Sequence, residues 1–358
     1  SLGLVGSEMC IRDSVNTAGM EEDEWLSWRK KGVGGSDVAA ALGLSPYKTA
    51  RELFYDKIGV KPRVAEEDKS ITFEIGHLLE DVVAQIFSKK TGFTVYQDQT
   101  MYQHPLFPFM LADVDRFIHL PNGERGLLEC KTAHYDTQFL WANDAVPRHY
   151  ELQVKHYMSV MNINVAYIAC LFSNSENDFV WRKIERDLDE EESTIQQLQY
   201  FWEHYVLNRI EPPLTEKPDM VLAALSRFYG PANQVITPPI LFGPEYASVL
   251  DSIMAMKQQK QDLEAQARKL DTQIKRAYAP IVELMGPSSV AFCEQNGLKY
   301  SITYNPKYRE GVPKEKLSIL KAQHPDIYDE FVKTSESRIF KAVSYTHLRA
   351  HETEADLV

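Results

Sequence analysis

An α/β fold, a mixed β-sheet flanked by helices with a helical appendage behind it, is what this chain predicts, on three observations. Phe109 to Leu120 and Gly126 to Ala133 are apolar-rich runs around the turn signal Pro121-Asn122-Gly123, the pattern of a β-hairpin. The segments on either side alternate between helical and strand periodicity, the order expected of helices packed on a sheet. Beyond a proline-containing stretch, apolar residues recur at 3-4 spacing from Val249 to Ile281, a heptad seam interrupted by Lys260.

Taken in order, Ser36 or Asp37 caps a short helix reaching Leu42, and Ser45-Pro46-Tyr47 turns into a helix from Thr49 to Ile58. A third helix runs from Thr72 to Lys90, buries Leu79, Val82, Val83, Ile86 and Phe87, and ends at Gly92. After the hairpin come a helix from Arg148 to Met161, strands Val165 to Phe172 and Phe179 to Ile184, and an amphipathic helix from Leu188 to Asn208 that stops at Pro212-Pro213. Residues 214–239 read as a linker with little structure. The segment 240–343 then holds the heptad helix, which pairs with another chain or folds back on its own, a strand pair at Val290 to Phe292 and Tyr300 to Tyr304, and a helix from Lys314 to His324.

With 358 residues and 44% hydrophobic composition, the chain can bury a proper core and is read as one catalytic domain plus an accessory region. No run of 18 apolar residues suggests a membrane span and no signal segment opens the chain, so an intracellular, cytoplasmic protein is expected. Cys10, Cys130, Cys170 and Cys293 are scattered without a CxxC pair, which argues against zinc, iron-sulfur or disulfide frameworks. A formal charge of −12 argues against a surface coated in basic patches, yet leaves room for a local basic groove. The ends, 1–14 and 344–358, resemble translated adapter sequence and carry no weight in the functional reading.

The chemistry concentrates on the hairpin. Side chains alternate faces along a strand, so Glu129 and Lys131 share one face, Leu128 and Cys130 the other, and Asp115 falls roughly opposite on the partner strand. Two neighbouring carboxylates repel each other, and a hard divalent cation such as magnesium or manganese is the natural remedy, with a lysine to orient or deprotonate a water beside it. A solvated hairpin face with alternating charges is the other reading of the same residues. Asp113, on the same face two residues earlier, competes with Asp115 as first ligand.

Five motifs appear in order: Trp28-Arg29 with Gly34-Gly35-Ser36-Asp37, Gly76-His77-Leu78-Leu79-Glu80, Asp115, Glu129-Cys130-Lys131 and Gln153-Val154-Lys155-His156-Tyr157. Together they resemble the YqaJ-type viral recombinase nucleases, similar to the exonuclease of phage lambda within the PD-(D/E)XK superfamily. The likeness covers residues 22–213 and implies a restriction-endonuclease-like fold. It further implies a Mg2+- or Mn2+-dependent DNA exonuclease of phage or prophage origin in a bacterial host. By that likeness Glu80, Asp115, Glu129 and the main-chain carbonyl of Cys130 would hold metal. Lys131 would position or activate the attacking water, Gln153 would lie beside it, and Arg29 and Ser36 would grip a terminal 5′-phosphate. It also implies duplex DNA with free ends as substrate, a single-strand annealing protein as partner and possible homo-oligomers. Arg116, following Asp115 where the family usually has glycine, departs from the pattern. His77 is read as structural or DNA-facing, because magnesium prefers oxygen.

Overall fold

The computed structural model describes residues 14–64, 70–173, 178–230, 240–295, 298–305 and 314–332; both expected adapter-like ends fall almost wholly outside them. The chain divides into two units, at Pro231 and Ala232.

The first unit contains β1 (Val15–Asn16), α1 (Glu22–Arg29), β2 (Val33–Gly34), α2 (Gly35–Ala41), α3 (Ala50–Lys57) and α4 (Ser70–Thr91). Strands β3 (Thr94–Tyr96), β4 (Thr100–Gln103), β5 (Met110–Asp113), β6 (Arg116–His119) and β7 (Arg125–Thr132) follow. A 3-10 segment over Tyr135–Asp144 leads into α5 (Arg148–Met161), β8 (Val165–Leu171), β9 (Phe179–Glu185), α6 (Leu188–Tyr200) and α7 (Pro218–Tyr229). α6 continues as one π-helical stretch over Phe201–Leu207, so the helix expected to reach Asn208 does so with a changed pitch.

The central sheet has the order β3-β6-β7-β8-β9. β7 and β8 run parallel, joined across α5, while the other pairs are antiparallel, which makes the sheet mixed as expected. Its two faces are covered differently. Val83, Ala84 and Phe87 of α4 pack with Leu128, Cys130 and Ala169. On the other face Leu152, Val154 and Met158 of α5 join Leu127, Ile168 and Cys170. The alternation along β7 therefore sends Leu128 and Cys130 toward α4 and turns Glu129 toward α5.

The hairpin closes as read: Arg116 pairs with Leu128, Leu120 exchanges backbone hydrogen bonds with Gly123 and Glu124, and Gly123 takes a left-handed φ of 85°. Its first arm is not one strand. Val114 and Asp115 break it, so that β5 joins a second sheet of order β1-β4-β5-β2 while β6 stays in the central one. Asp115 uses its carboxylate, not its backbone, to reach across: Oδ2 accepts from Cys130 N at 2.9 Å.

The expected linker at 214–239 also needs correction, since residues 218–229 form α7, which packs on α3. Arg227 pairs with Glu52, and the rings of Phe228 and Tyr55 lie 4.4 Å apart. Pro218 at the first helical turn and the amphipathic residues behind it were the available signal.

In the second unit, α8 (Ala247–Met285) is a 39-residue helix carrying the heptad seam, followed by the hairpin β10 (Val290–Gln295) and β11 (Leu298–Thr303). α9 (Lys314–Gln323) and α10 (Pro325–Phe331) end it. Among the described residues no helix is long and apolar enough to cross a membrane.

Candidate active site

Glu129 is almost wholly buried (2% exposed) where β7 faces α5, and its two oxygens differ. Oε1 accepts from Lys131 Nζ at 2.6 Å and from Gln153 Nε2 at 2.5 Å, whereas Oε2, also buried, has no hydrogen-bond partner. Burial, then the charge of Asp115, pushes the Glu129 carboxyl up to about 8, against the pull of Lys131. Burial works against the charge of Lys131, but Glu129 and Asp115 outweigh it and raise the ammonium above its usual value. The lysine therefore stays a cation, also set 5.2 Å from the Tyr150 ring.

Glu80 comes from α4. Its carboxyl is raised by burial and by Asp115, while His77, whose Nδ1 lies 3.0 Å from Glu80 Oε1, and Arg116 oppose the shift. His77 thus contacts a candidate ligand while staying largely exposed. Arg116 does not face open space as a phosphate contact would. It is 6% exposed, donates to the Asp115 carbonyl and pairs with Asp81. Asp113 accepts from the Trp25 indole at 2.8 Å and sits on β5, so that Asp115 is the acid that reaches β7.

Arg29 and Ser36 are together, although seven residues apart: Arg29 Nη2 donates to Ser36 Oγ at 2.6 Å. Neither Ser36 nor Asp37 is the N-cap of α2, which is Gly34; Asp37, in the first turn, reaches back to accept from Gly34 N at 3.1 Å. Asp37 also pairs with Lys57 at 2.7 Å and lies 3.6 Å from Arg29. Those cations, set against its burial, hold its carboxyl down at about 2. Gly35 is where α2 meets α5; a Cβ there would stand 2.4 Å from the Tyr157 ring and 3.0 Å from Gln153 Cγ.

Arg29, Ser36, Glu80, Asp115, Glu129, Lys131 and Gln153 wall one cleft of about 850 Å³, and a neighbouring cleft of about 860 Å³ shares Arg29, Ser36, Glu80 and Lys131 with it. The neighbour also presents Tyr47, Lys30 and Lys48, a locally basic rim on an acidic protein. Asp37, read from the sequence as a helix cap, also anchors Arg29. Two residues of this neighbourhood were not singled out by their sequence: Trp25 carries the Arg29 guanidinium 4.9 Å from its ring, and Tyr150 faces Lys131. The i, i+4 spacing of Trp25 and Arg29 on one helix was the only sequence signal for either of them.

A helix-flanked mixed sheet with buried acids and a lysine at one cleft defines an α/β protein of the acid-and-lysine type. The chain belongs to the YqaJ-like viral recombinase family. The model of the YqaJ-like viral recombinase domain matches residues 24–164. The uncharacterized protein YqaJ of Bacillus subtilis strain 168 is 32% identical over 323 residues, 90% of this chain and 94% of that protein. Among solved structures, an alkaline exonuclease from Laribacter hongkongensis is 18% identical with a TM-score of 0.43, covering 53% of this chain and 94% of that one. A phage-related exonuclease from Haemophilus somnus 129PT is 15% identical with a TM-score of 0.37, covering 50% of this chain and 96% of that one.

Proposed function

We propose that the protein is a divalent-metal-dependent DNA exonuclease that hydrolyses linear duplex DNA from a 5′ end, leaving single-stranded tails for recombination. The observation that carries this reading is the Arg29–Ser36 pair on the wall of the cleft that holds Glu80, Asp115, Glu129 and Lys131. An arginine fork with a hydroxyl beside a helix N-terminus suits a terminal phosphate.

The acids fit a hard cation on two grounds: the partnerless buried Oε2 of Glu129, and two carboxyls driven up by burial and mutual repulsion. Among the described residues no three His, Cys, Asp or Glu side chains form a ready-made cage. Glu80, Asp115, Glu129 and the Cys130 carbonyl would hold Mg2+ or Mn2+, which when bound supplies Lewis-acid stabilisation of charge on the phosphate. Gln153 fixes the rotamer of Glu129. Lys131 orients the attacking water and faces the negative charge that grows on the phosphate oxygens. Arg29 and Ser36 hold the end of the strand in register.

The test is digestion of end-labelled linear duplex with and without a 5′-phosphate, in Mg2+ and in EDTA, beside covalently closed circles. Metal-dependent loss of linear DNA, faster with the phosphate, is expected, and Arg29→Ala should remove the phosphate preference. Cleavage of closed circles would make the protein an endonuclease, and no metal-dependent cleavage would end the nuclease reading.

Two partners belong to the same proposal. A single-strand annealing protein would take the tails, as the family likeness implies. A second copy of this chain would cover α8, where Met256, Leu263 and Leu270 are each more than half exposed on the seam. In a parallel pair Gln259 and Gln266 flank Glu264 and Asp271 of the other copy, while Lys260, on the seam itself, meets its own counterpart at a cost in stability. Light scattering should give an oligomer that Leu263→Asp dissociates; a monomeric parent would refute it.

A further inference from the structure

Arg116 departs from the expected pattern, and its surroundings give it work. The side chain starts at the first residue of β6, directly after Asp115, and its guanidinium reaches α4. One nitrogen, Nη1, donates to the Asp115 carbonyl at 2.5 Å and lies 3.9 Å from Glu80 Oε2. The other, Nη2, pairs with Asp81 Oδ1 at 2.5 Å.

Glu80 and Asp81 are adjacent on a helix, so their side chains leave it about 100° apart. A single rigid fork that engages both fixes the rotation of α4 about its axis and its distance from the acid strand. A guanidinium with 6% exposure must be paired and hydrogen-bonded to be tolerated, and its planar donors select one geometry where an ammonium would accept many. It also places a positive charge beside Glu80, against the repulsion from Asp115.

We infer that Arg116 is a positioning residue: by holding Asp81 and the Asp115 carbonyl at once, it keeps α4 turned so that Glu80 faces Asp115. This rests on the reading of Glu80 and Asp115 as metal ligands. It adds that their approach is set by a residue that is itself no ligand. Asp81, whose side chain is 74% exposed, belongs to the same device, because it anchors the fork from the solvent side.

Mn2+ titration followed by electron paramagnetic resonance reads this without any turnover, with thermal melts to confirm folding. Glu80→Gln should weaken Mn2+ binding and so establish the ligand. Arg116→Met should weaken it by about 10–100-fold, the usual effect of removing a group that orients a ligand. Asp81→Asn, a surface change that should leave folding intact, should weaken binding in the same sense but less. The Asp81→Asn/Arg116→Met pair should be no worse than Arg116→Met alone. Arg116→Lys should recover only part of the affinity. If Glu80→Gln binds weakly while Arg116→Met and Asp81→Asn bind as the parent or tighter, the inference fails and the metal reading stands. If Glu80→Gln binds like the parent, both fall together.

Discussion

The side-chain amide of Gln153 donates to Glu129 Oε1 at 2.5 Å, and its nitrogen also lies 3.2 Å from the Tyr157 hydroxyl. The glutamine therefore orients the candidate glutamate, not the lysine. Gln153→Ala should lower nuclease activity by about 10–100-fold, as loss of an orienting partner does. Gln153→Glu should be worse, because it brings a further carboxylate against a buried one. Both are read from initial rates on a 5′-phosphorylated duplex, and parent-like rates for Gln153→Ala would contradict the role.

Lys131 forms its ion pair with Glu129 at 2.6 Å in a buried setting that keeps the ammonium charged. Lys131→Met should cost about 10²–10³-fold in single-turnover rate, the range for a group that stabilises growing charge. Lys131→Arg should not restore it, since a broad fork cannot replace a compact ammonium between Glu129 and the Tyr150 ring. A Lys131→Met enzyme that cleaves at the parent rate would remove lysine from the mechanism.

Much of this was legible in the letters because it was local. The Asn122-Gly123 turn fixed the hairpin, strand alternation put Glu129 and Lys131 on one face, and the helices carried their own caps and apolar stripes. The break at Val114 and Asp115 was not legible, because an apolar run does not reveal that its two halves join different sheets. Nor did spacing show that Arg116 would turn to Asp81, a contact 35 residues away in sequence. Glu80 followed only from the family likeness; helix periodicity alone marks it as one more polar residue beside Asp81. The Arg29–Ser36 contact lay in between: the residue types suggested a phosphate grip, but only packing brings α1 and α2 together.

Gly35 sits where α2 meets α5, and no side chain fits. Gly35→Ala would place a methyl 2.4 Å from the Tyr157 ring and 3.0 Å from Gln153 Cγ, both in the interior. Overpacking of this kind costs about 1–3 kcal/mol, and a domain of this size loses about 2–4 °C in melting temperature per kcal/mol. Activity should fall further than stability, because the displaced residue is the one that holds Glu129. A melt and an activity assay on the same preparation check both, and an unchanged melting temperature would show that the α2–α5 contact is looser than described.

His156 provides a pH dependence whose sign can be worked out. It is 2% exposed, with Nε2 3.0 Å from the Leu111 carbonyl, and burial lowers its pKa from the ordinary 6.5 to about 4, only partly opposed by that hydrogen bond. The unfolded chain takes up the proton near 6.5 and the folded one only near 4. Between these values the unfolded state binds more protons, so stability falls as pH falls, by roughly 3 kcal/mol over the window. Burial lowers His104 as well, which adds to the slope, while Asp37, lowered from 3.8 to about 2, gives up its stabilisation only between those values, below the window of His156. Glu129 works in the opposite sense: its raised carboxyl contributes stability below about 4.5 that is lost as pH rises toward 8. The informative quantity is therefore the difference between the parent and His156→Gln, which keeps a donor for Leu111 but cannot titrate. Urea unfolding at pH 4.5, 5.5 and 7 should show the parent losing more stability on acidification than the variant. Equal losses in the two proteins would mean that His156 takes up its proton at the same pH in the folded and unfolded chains.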